Sequence, residues 1–164
     1  MAALIDKFGR AIVDLRIAIT DQCNYKCVYC RTGNEGALYG DLPFADYLRM
    51  ARVMAGLGIT KIRLTGGEPL LRRGIVDFVH NLSQLRTQDG EALDIALTTN
   101  GHLLADLAQP LKDAGLHRVT VSMDAVDPDR FTRITRVPGG YDHVLAGIRA
   151  AKRAGLEPVK VNCV

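Results

Sequence analysis

"FADYLRMARVMAGLGITKIRLTGGEP", residues 44–69, carries the decision about the fold. Its first half has helical spacing, with Phe44, Tyr47, Leu48, Ala51 and Ala55 on one face. Gly58 follows where that helix has to end, because a residue without Cβ enters the left-handed region at little cost. Directly after it, ITKIRLT reads as a short β-rich run that breaks at Gly66 and Gly67. The same order of helix, glycine and strand recurs. Leu104, Leu107, Ala108 and Leu111 precede Gly115 and HRVTVSMD, and a further apolar-periodic segment precedes Gly155 and EPVKVNCV. Ile75, Phe78, Val79 and Leu82 mark another helix between them.

Outward from that unit, five near-continuous apolar runs read as strands: DLRIAIT (14–20), IRLT (62–65), ALDIALT (92–98), RVTVS (118–122) and VKVNCV (159–164). Their alternation with helices predicts parallel pairing through right-handed crossovers. The expected class is α/β, a partial (βα) TIM-type barrel with about five parallel strands, open at its C-terminal end. A closed barrel takes roughly 200 residues or more. No linker or low-complexity tract divides the chain, so residues 1–164 read as one domain. The uncovered edge and face of the fifth strand are expected to expose apolar surface. Between the fourth strand and the last helix, Asp127–Gly140 reads as a short helix and loop. Asp127 would be its N-cap and Pro128 its first residue.

Composition narrows the function classes. The chain is 48% apolar with a net charge of +3, 5% aromatic residues and no tryptophan. That charge is too mild for nucleic-acid binding, and base-stacking platforms are not suggested. Nothing near the N-terminus has the apolar run of a signal peptide, and no stretch is long enough to span a bilayer. A cytoplasmic location is expected, where clustered cysteines bind metal or do redox chemistry more often than they form disulfides.

The polar oddities collect at the strand ends, where ligands sit in parallel βα folds. The first strand runs into CNYKCVYC (23–30), the second into TGGEP (65–69), the third into TTNG (98–101) and the fourth into SMDA (122–125). Cys23, Cys27 and Cys30 place three thiolates on one loop. Structural zinc takes four protein ligands, usually as two separated pairs, and ordinary ferredoxin clusters also take four cysteines. Here there is one triplet, with no histidine before His80 and only Cys163 left over. A cubane held by three thiolates, with one iron open to a small molecule, fits best; a partial zinc site or unrelated thiols are the plainer readings.

Cys-x3-Cys-x2-Cys followed by GGEP on the next βα turn resembles the radical S-adenosylmethionine (radical SAM) enzymes. FGR, LRIAITDQCNYKCVYC, KIRLTGGEPLLRR, LTTNG, DAGLHRVTVSMD and VKVN together resemble the GTP 3′,8-cyclases of molybdenum cofactor biosynthesis, collinearly from about Phe8 onward. The resemblance covers the N-terminal half of such an enzyme. It implies that Cys23, Cys27 and Cys30 hold a 4Fe–4S cluster whose open iron is chelated by S-adenosylmethionine. It gives the Tyr29 backbone to the adenine, Gly66, Gly67 and Glu68 to the methionine amino group, and Ser122 to the same cosubstrate. It also implies that Arg16, Arg63, Thr98 and Lys160 contact GTP, with the basic trio supplying the converging charge a triphosphate needs. Reductive cleavage of the sulfonium then yields a 5′-deoxyadenosyl radical that abstracts hydrogen from the ribose C3′, and the carbon radical closes onto guanine C8.

The resemblance further implies an electron donor and, beyond this chain, a second cluster and a Gly-Gly tail. These would come from a missing C-terminal half or from a second protomer. RTGNEG after Cys30 departs from the hydrophobic–proline loop start of the family. Rival readings are a different radical enzyme such as a peptide-modifying one, a non-catalytic iron–sulfur binding module, and a split protein. Plainer readings also stand beside single residues. Tyr29 would pack, Arg16 and Arg63 would be surface arginines, and Thr98 and Thr99 would be ordinary strand residues. Cys163 would be a small buried residue, and His102, His117 and His143 ordinary loop or helix residues.

Overall fold

The computed structural model describes residues 4–30 and 41–163. Its elements run β1 (Asp14–Ala18), α1 (Phe44–Gly56), β2 (Lys61–Thr65), a 3-10 turn (Pro69–Leu71), α2 (Ile75–Ser83), β3 (Asp94–Thr99), α3 (Leu104–Asp113), β4 (Arg118–Ser122), α4 (Pro128–Thr135), α5 (Gly140–Arg153) and β5 (Lys160–Asn162). The strands form one parallel sheet in chain order, β1-β2-β3-β4-β5. Sequential order with crossovers of one hand stacks every helix on the same side of the sheet. The sheet is open, as the partial-barrel reading requires.

The helices end where glycine was expected to end them. Gly58, Gly115 and Gly155 have φ of 100°, 102° and 72°, and each donates its N–H back to a carbonyl three residues earlier. In α4, Pro128 occupies the first turn and the Asp127 carboxylate accepts from Arg130 N at 2.7 Å. The predicted apolar faces are the buried ones: Ala51 and Ala55 in α1, Ile75, Phe78, Val79 and Leu82 in α2, and Leu104, Ala108 and Leu111 in α3.

The strands differ from the near-continuous apolar runs of the sequence reading. They alternate. Ile17, Ile62, Leu64, Ile95, Leu97, Val119 and Val121 are buried under the helices. The register sets Arg16 beside Arg63 and Ala96, and Thr98 beside Thr120 and Lys160, all on the opposite face. The period-2 signal is masked because Ala18 and Ala96 lie on that polar face and both count as apolar in the sequence. At the open edge β5 is exposed throughout. A groove of about 540 Å³ runs along its helix side, lined by Ile148, Pro158, Val159 and Val161 among others. Cys163, expected to be buried, is exposed, because it follows this uncovered strand.

Two features outside the βα units position the strand ends. Residues 5–11 form a small antiparallel turn in which Asp6 accepts from Phe8 N and Arg10 N, so the FGR motif is a hairpin tip. Arg72 lies over the Phe44 ring, 3.9 Å from its centroid. It donates to the carbonyls of Ile19 and Leu42, clamping the exit of β1 to the start of α1.

Candidate functional site

The cysteine loop leaves β1 through buried Ile19 and Thr20 and is fastened at four places. Lys26 N and Val28 N donate to the carbonyls of Thr135 and Ile134 at 3.1 and 2.9 Å. Those carbonyls belong to the last turn of α4, which has no intrahelical donors for them. The loop is thus the helix cap. Tyr25 is buried edge-on against Phe131 and His102, with its hydroxyl 3.2 Å from His102 Nδ1 and donating to the Gly140 carbonyl at 3.4 Å. His102 in turn lies 4.2 Å from His143, ring to ring, and burial followed by that neighbour lowers its pKa. The Tyr29 hydroxyl donates to Asp124, a buried carboxylate just beyond β4.

The fourth fastening is the Gly-Gly turn. Gly67 N donates to Thr20 O at 2.8 Å and Glu68 N to Gln22 O at 2.7 Å. A Cβ on Gly66 would stand 2.2 Å from Thr20 O, and one on Gly67 2.3 Å from Gln22 O. The glycines are therefore needed for the close approach of the cysteine loop, whatever else comes near them.

Glu68 is completely buried. Its carboxylate accepts from Leu70 N at 3.0 Å, Thr99 Oγ1 at 2.7 Å and Asn100 N at 2.7 Å. A carboxylate has about four acceptor positions, so one remains. Burial pushes its pKa up against the opposing pull of these three bonds. An acid with a raised folded pKa binds its proton more tightly when folded, so its contribution to stability is full below the unfolded value and is lost as pH rises through the folded one. Relative to a Glu68→Gln variant, the wild type should therefore lose stability as pH rises from the ordinary value of 4.5. Urea midpoints of both proteins from pH 4 to 8 measure this; parallel curves would refute it.

Cys23 and Cys30 are exposed, and Cys27 is half-buried. Burial raises the thiol pKa of Cys23 and of Cys27; Cys30 adds to both shifts, and Cys23 adds to that of Cys27. All three thiols lie on the one segment between β1 and α1. Among the described residues, no group of three His, Cys, Asp or Glu side chains is placed to hold a single metal ion. Cys23 Sγ accepts from Tyr25 N at 3.4 Å and from Asn100 Nδ2 at 3.9 Å. Residues 31–36, the RTGNEG departure, lie outside the described residues.

Below this rim lies the polar face of the sheet. Arg63 Nη1 donates to Thr120 Oγ1 at 3.1 Å and Thr98 Oγ1 at 3.4 Å, which holds the guanidinium over the sheet. Arg16 stands beside it on β1, and Lys160 beside Thr120 on β5, both exposed. Ser122 pairs with Asn162 at the strand ends. Arg16, Arg63, Thr98, Ser122 and Lys160 therefore share one face. Thr99 has the structural role suggested for it, through Glu68. His117 is structural too, its Nδ1 accepting from Ile95 N at 3.1 Å. Asn100, Asp124 and Thr120 were not singled out from the sequence, although TTNG and SMDA had marked the right junctions for the first two.

Comparison with known proteins gives three results. The sequence profile of the Radical SAM superfamily matches residues 17–164. GTP 3′,8-cyclase of Thermodesulfovibrio yellowstonii is 48% identical over 164 residues, covering 97% of this chain and 49% of that protein. A probable GTP 3′,8-cyclase of Methanocella arvoryzae is 45% identical over 161 residues, covering 98% and 50%. The chain thus spans about half the length of the cyclases it matches. In fold it is similar to Streptococcus suis SuiB bound to S-adenosylmethionine (TM-score 0.76, 19% identity, 92% of this chain and 33% of that one). It is equally similar to anSMEcpe with bound AdoMet (TM-score 0.76, 21% identity, 92% and 43%).

Proposed function

Because this chain belongs to the radical SAM superfamily, we propose that it is the cluster- and nucleotide-binding half of a GTP 3′,8-cyclase. The observation that carries the nucleotide part is the register. It puts Arg16 and Arg63 side by side and Lys160 two strands beyond β3, on the face that no helix covers among the described residues and below the cysteine rim. Three cations on an open polar face suit a triphosphate, with forked guanidinium donors for its oxygens.

The donor set also fits the cluster. Thiolates of a cubane bind separate irons, so Cys23, Cys27 and Cys30 have to be neighbours without converging on one ion. Three thiols on one loop, with no such group converging on a single ion among the described residues, suit that requirement. When bound, the cluster and S-adenosylmethionine supply a 5′-deoxyadenosyl radical for hydrogen abstraction. The chain's own residues bind and orient. Gly66 and Gly67 offer their exposed backbone to the methionine ammonium, and the buried Glu68 holds that turn in place from beneath through its three bonds. The Tyr29 backbone would meet the adenine, while its side chain ties the loop to Asp124. Ser122 closes the cosubstrate side, and Thr98, bonded to Arg63, orients the guanidinium toward GTP.

An electron donor, and a partner supplying the second cluster, from the other half of such a protein or from a second protomer, complete the proposed reaction. The exposed thiols suit a reducing compartment such as the cytoplasm. Among the described residues no helix is long and apolar enough to cross a membrane.

The test is anaerobic: reconstitute the chain with iron and sulfide, reduce it, add S-adenosylmethionine and quantify 5′-deoxyadenosine with and without GTP. Calorimetric titration with GTP adds the nucleotide arm. Arg63→Ala should weaken binding by about 10–100-fold, the loss of one or two charge-assisted bonds worth about 1.5–3 kcal/mol. Unaltered GTP affinity in that variant would remove the nucleotide reading and leave a radical enzyme for another substrate, a peptide among them.

A further inference from the structure

We propose that Asn100 is a positioning residue for Cys23, holding the thiolate in place and donating an N–H to its sulfur. This rests on the cluster reading above. Asn100 stands just past the end of β3, and its backbone N–H and both polar atoms of its side chain are engaged. Its backbone N–H goes to Glu68 Oε2 at 2.7 Å, and its Oδ1 accepts from His102 N at 3.0 Å. Its Nδ2 donates to Asn24 Oδ1 at 2.7 Å and faces Cys23 Sγ at 3.9 Å. One residue therefore joins the Gly-Gly-Glu turn, through its backbone N–H, to the cysteine loop and the third βα junction, through its carboxamide.

The position is selective. Cys23 already accepts from Tyr25 N at 3.4 Å, and Asn100 makes a second N–H donor at the same sulfur. A donor aimed at a thiolate strengthens when the sulfur carries charge. It stabilises the more negative, reduced form of an iron–sulfur cluster, so hydrogen bonds to the sulfurs raise the reduction potential. Asn100 accordingly makes the cluster easier to reduce. Asn24 holds the carboxamide in the orientation that keeps one of its two N–H groups toward Cys23.

The experiment compares reconstituted wild-type, Asn100→Ser and Asn24→Ala chains. Iron content, circular dichroism, resonance Raman spectra in the iron–thiolate region and a redox titration are measured for each. Serine keeps an acceptor for His102 N by the same local turn but has no N–H that reaches Cys23. Expected are an unchanged dichroism spectrum, a midpoint potential shifted to more negative values and a shifted iron–thiolate stretch. Asn24→Ala should shift both in the same direction by less. Wild-type potential and spectrum in a folded, cluster-bearing Asn100→Ser chain would overturn the proposal. If that variant does not fold, the same result in Asn24→Ala overturns it instead. A wild-type chain that takes up no cluster at all overturns the cluster reading itself, and this inference with it.

Discussion

Cys27→Ser is expected to leave a folded chain that binds no iron–sulfur cluster. Visible absorbance after anaerobic reconstitution should vanish, and reductive cleavage of S-adenosylmethionine should fall by more than about 100-fold, beyond the range seen for residues that only support a metal ligand. The loss follows from the ligand: a serine hydroxyl keeps its proton where a thiol gives it up to iron. The fold should survive because the loop is fastened by other groups. Lys26 N and Val28 N cap α4 through backbone bonds, and Tyr25 is anchored between Phe131 and His102. Replacing one half-buried sulfur by oxygen costs about 1 kcal/mol or less. Circular dichroism and a urea midpoint check the fold, and iron analysis checks the ligand. A Cys27→Ser chain that retains the wild-type iron content would overturn the ligand assignment.

Gly67→Ala should be nearly as damaging to the cluster, without touching a ligand. Its Cβ would stand 2.3 Å from Gln22 O, with Gln22 C at 2.7 Å and Asp21 O at 2.8 Å. These are backbone atoms that cannot swing aside as a side chain would. The cysteine loop has to lift from the Gly-Gly-Glu turn, which stretches the bonds from Gly67 N to Thr20 O and from Glu68 N to Gln22 O. Overpacking of this kind costs about 1–3 kcal/mol, a fall of roughly 3–9 °C in melting temperature for a chain of this size. Cluster uptake should fall with it, since Cys23 is the next residue along the lifted segment. Gly56→Ala is the control. No atom lies within 4 Å of its Cβ position at the end of α1, and there the same substitution should stabilise by about 0.4–1 kcal/mol. Equal melting temperatures and iron contents in the two variants would show that the close approach at Gly67 has no consequence.

The fold was legible because its signals are local. Gly58, Gly115 and Gly155 mark helix ends by a backbone conformation that side chains disfavour, and Asp127 with Pro128 marks a helix start by its own hydrogen bond and fixed φ. The order of such units, with crossovers of one hand, leaves little freedom in how the strands are arranged. The cysteine triplet and TGGEP were equally legible as elements of one rim, since every βα junction of a parallel sheet faces the same way.

What stayed illegible is what depends on distant segments meeting. Glu68 shows in the sequence as part of a motif, but its burial and three donors, from Leu70, Thr99 and Asn100, exist only once β3 lies beside β2. The reason for Gly66 and Gly67 is likewise tertiary, since the atoms that exclude a Cβ belong to residues 20–22. Cys163 was misread because burial is decided by what covers a strand, and β5 is uncovered. By itself, then, the sequence determined the order of elements, the thiol spacing and the presence of Arg16, Arg63 and Lys160. Only the tertiary structure decided that these cations share one open face and that a loop of thiols is held against a glycine turn, because register and close approach are relations between strands that a one-dimensional pattern does not contain.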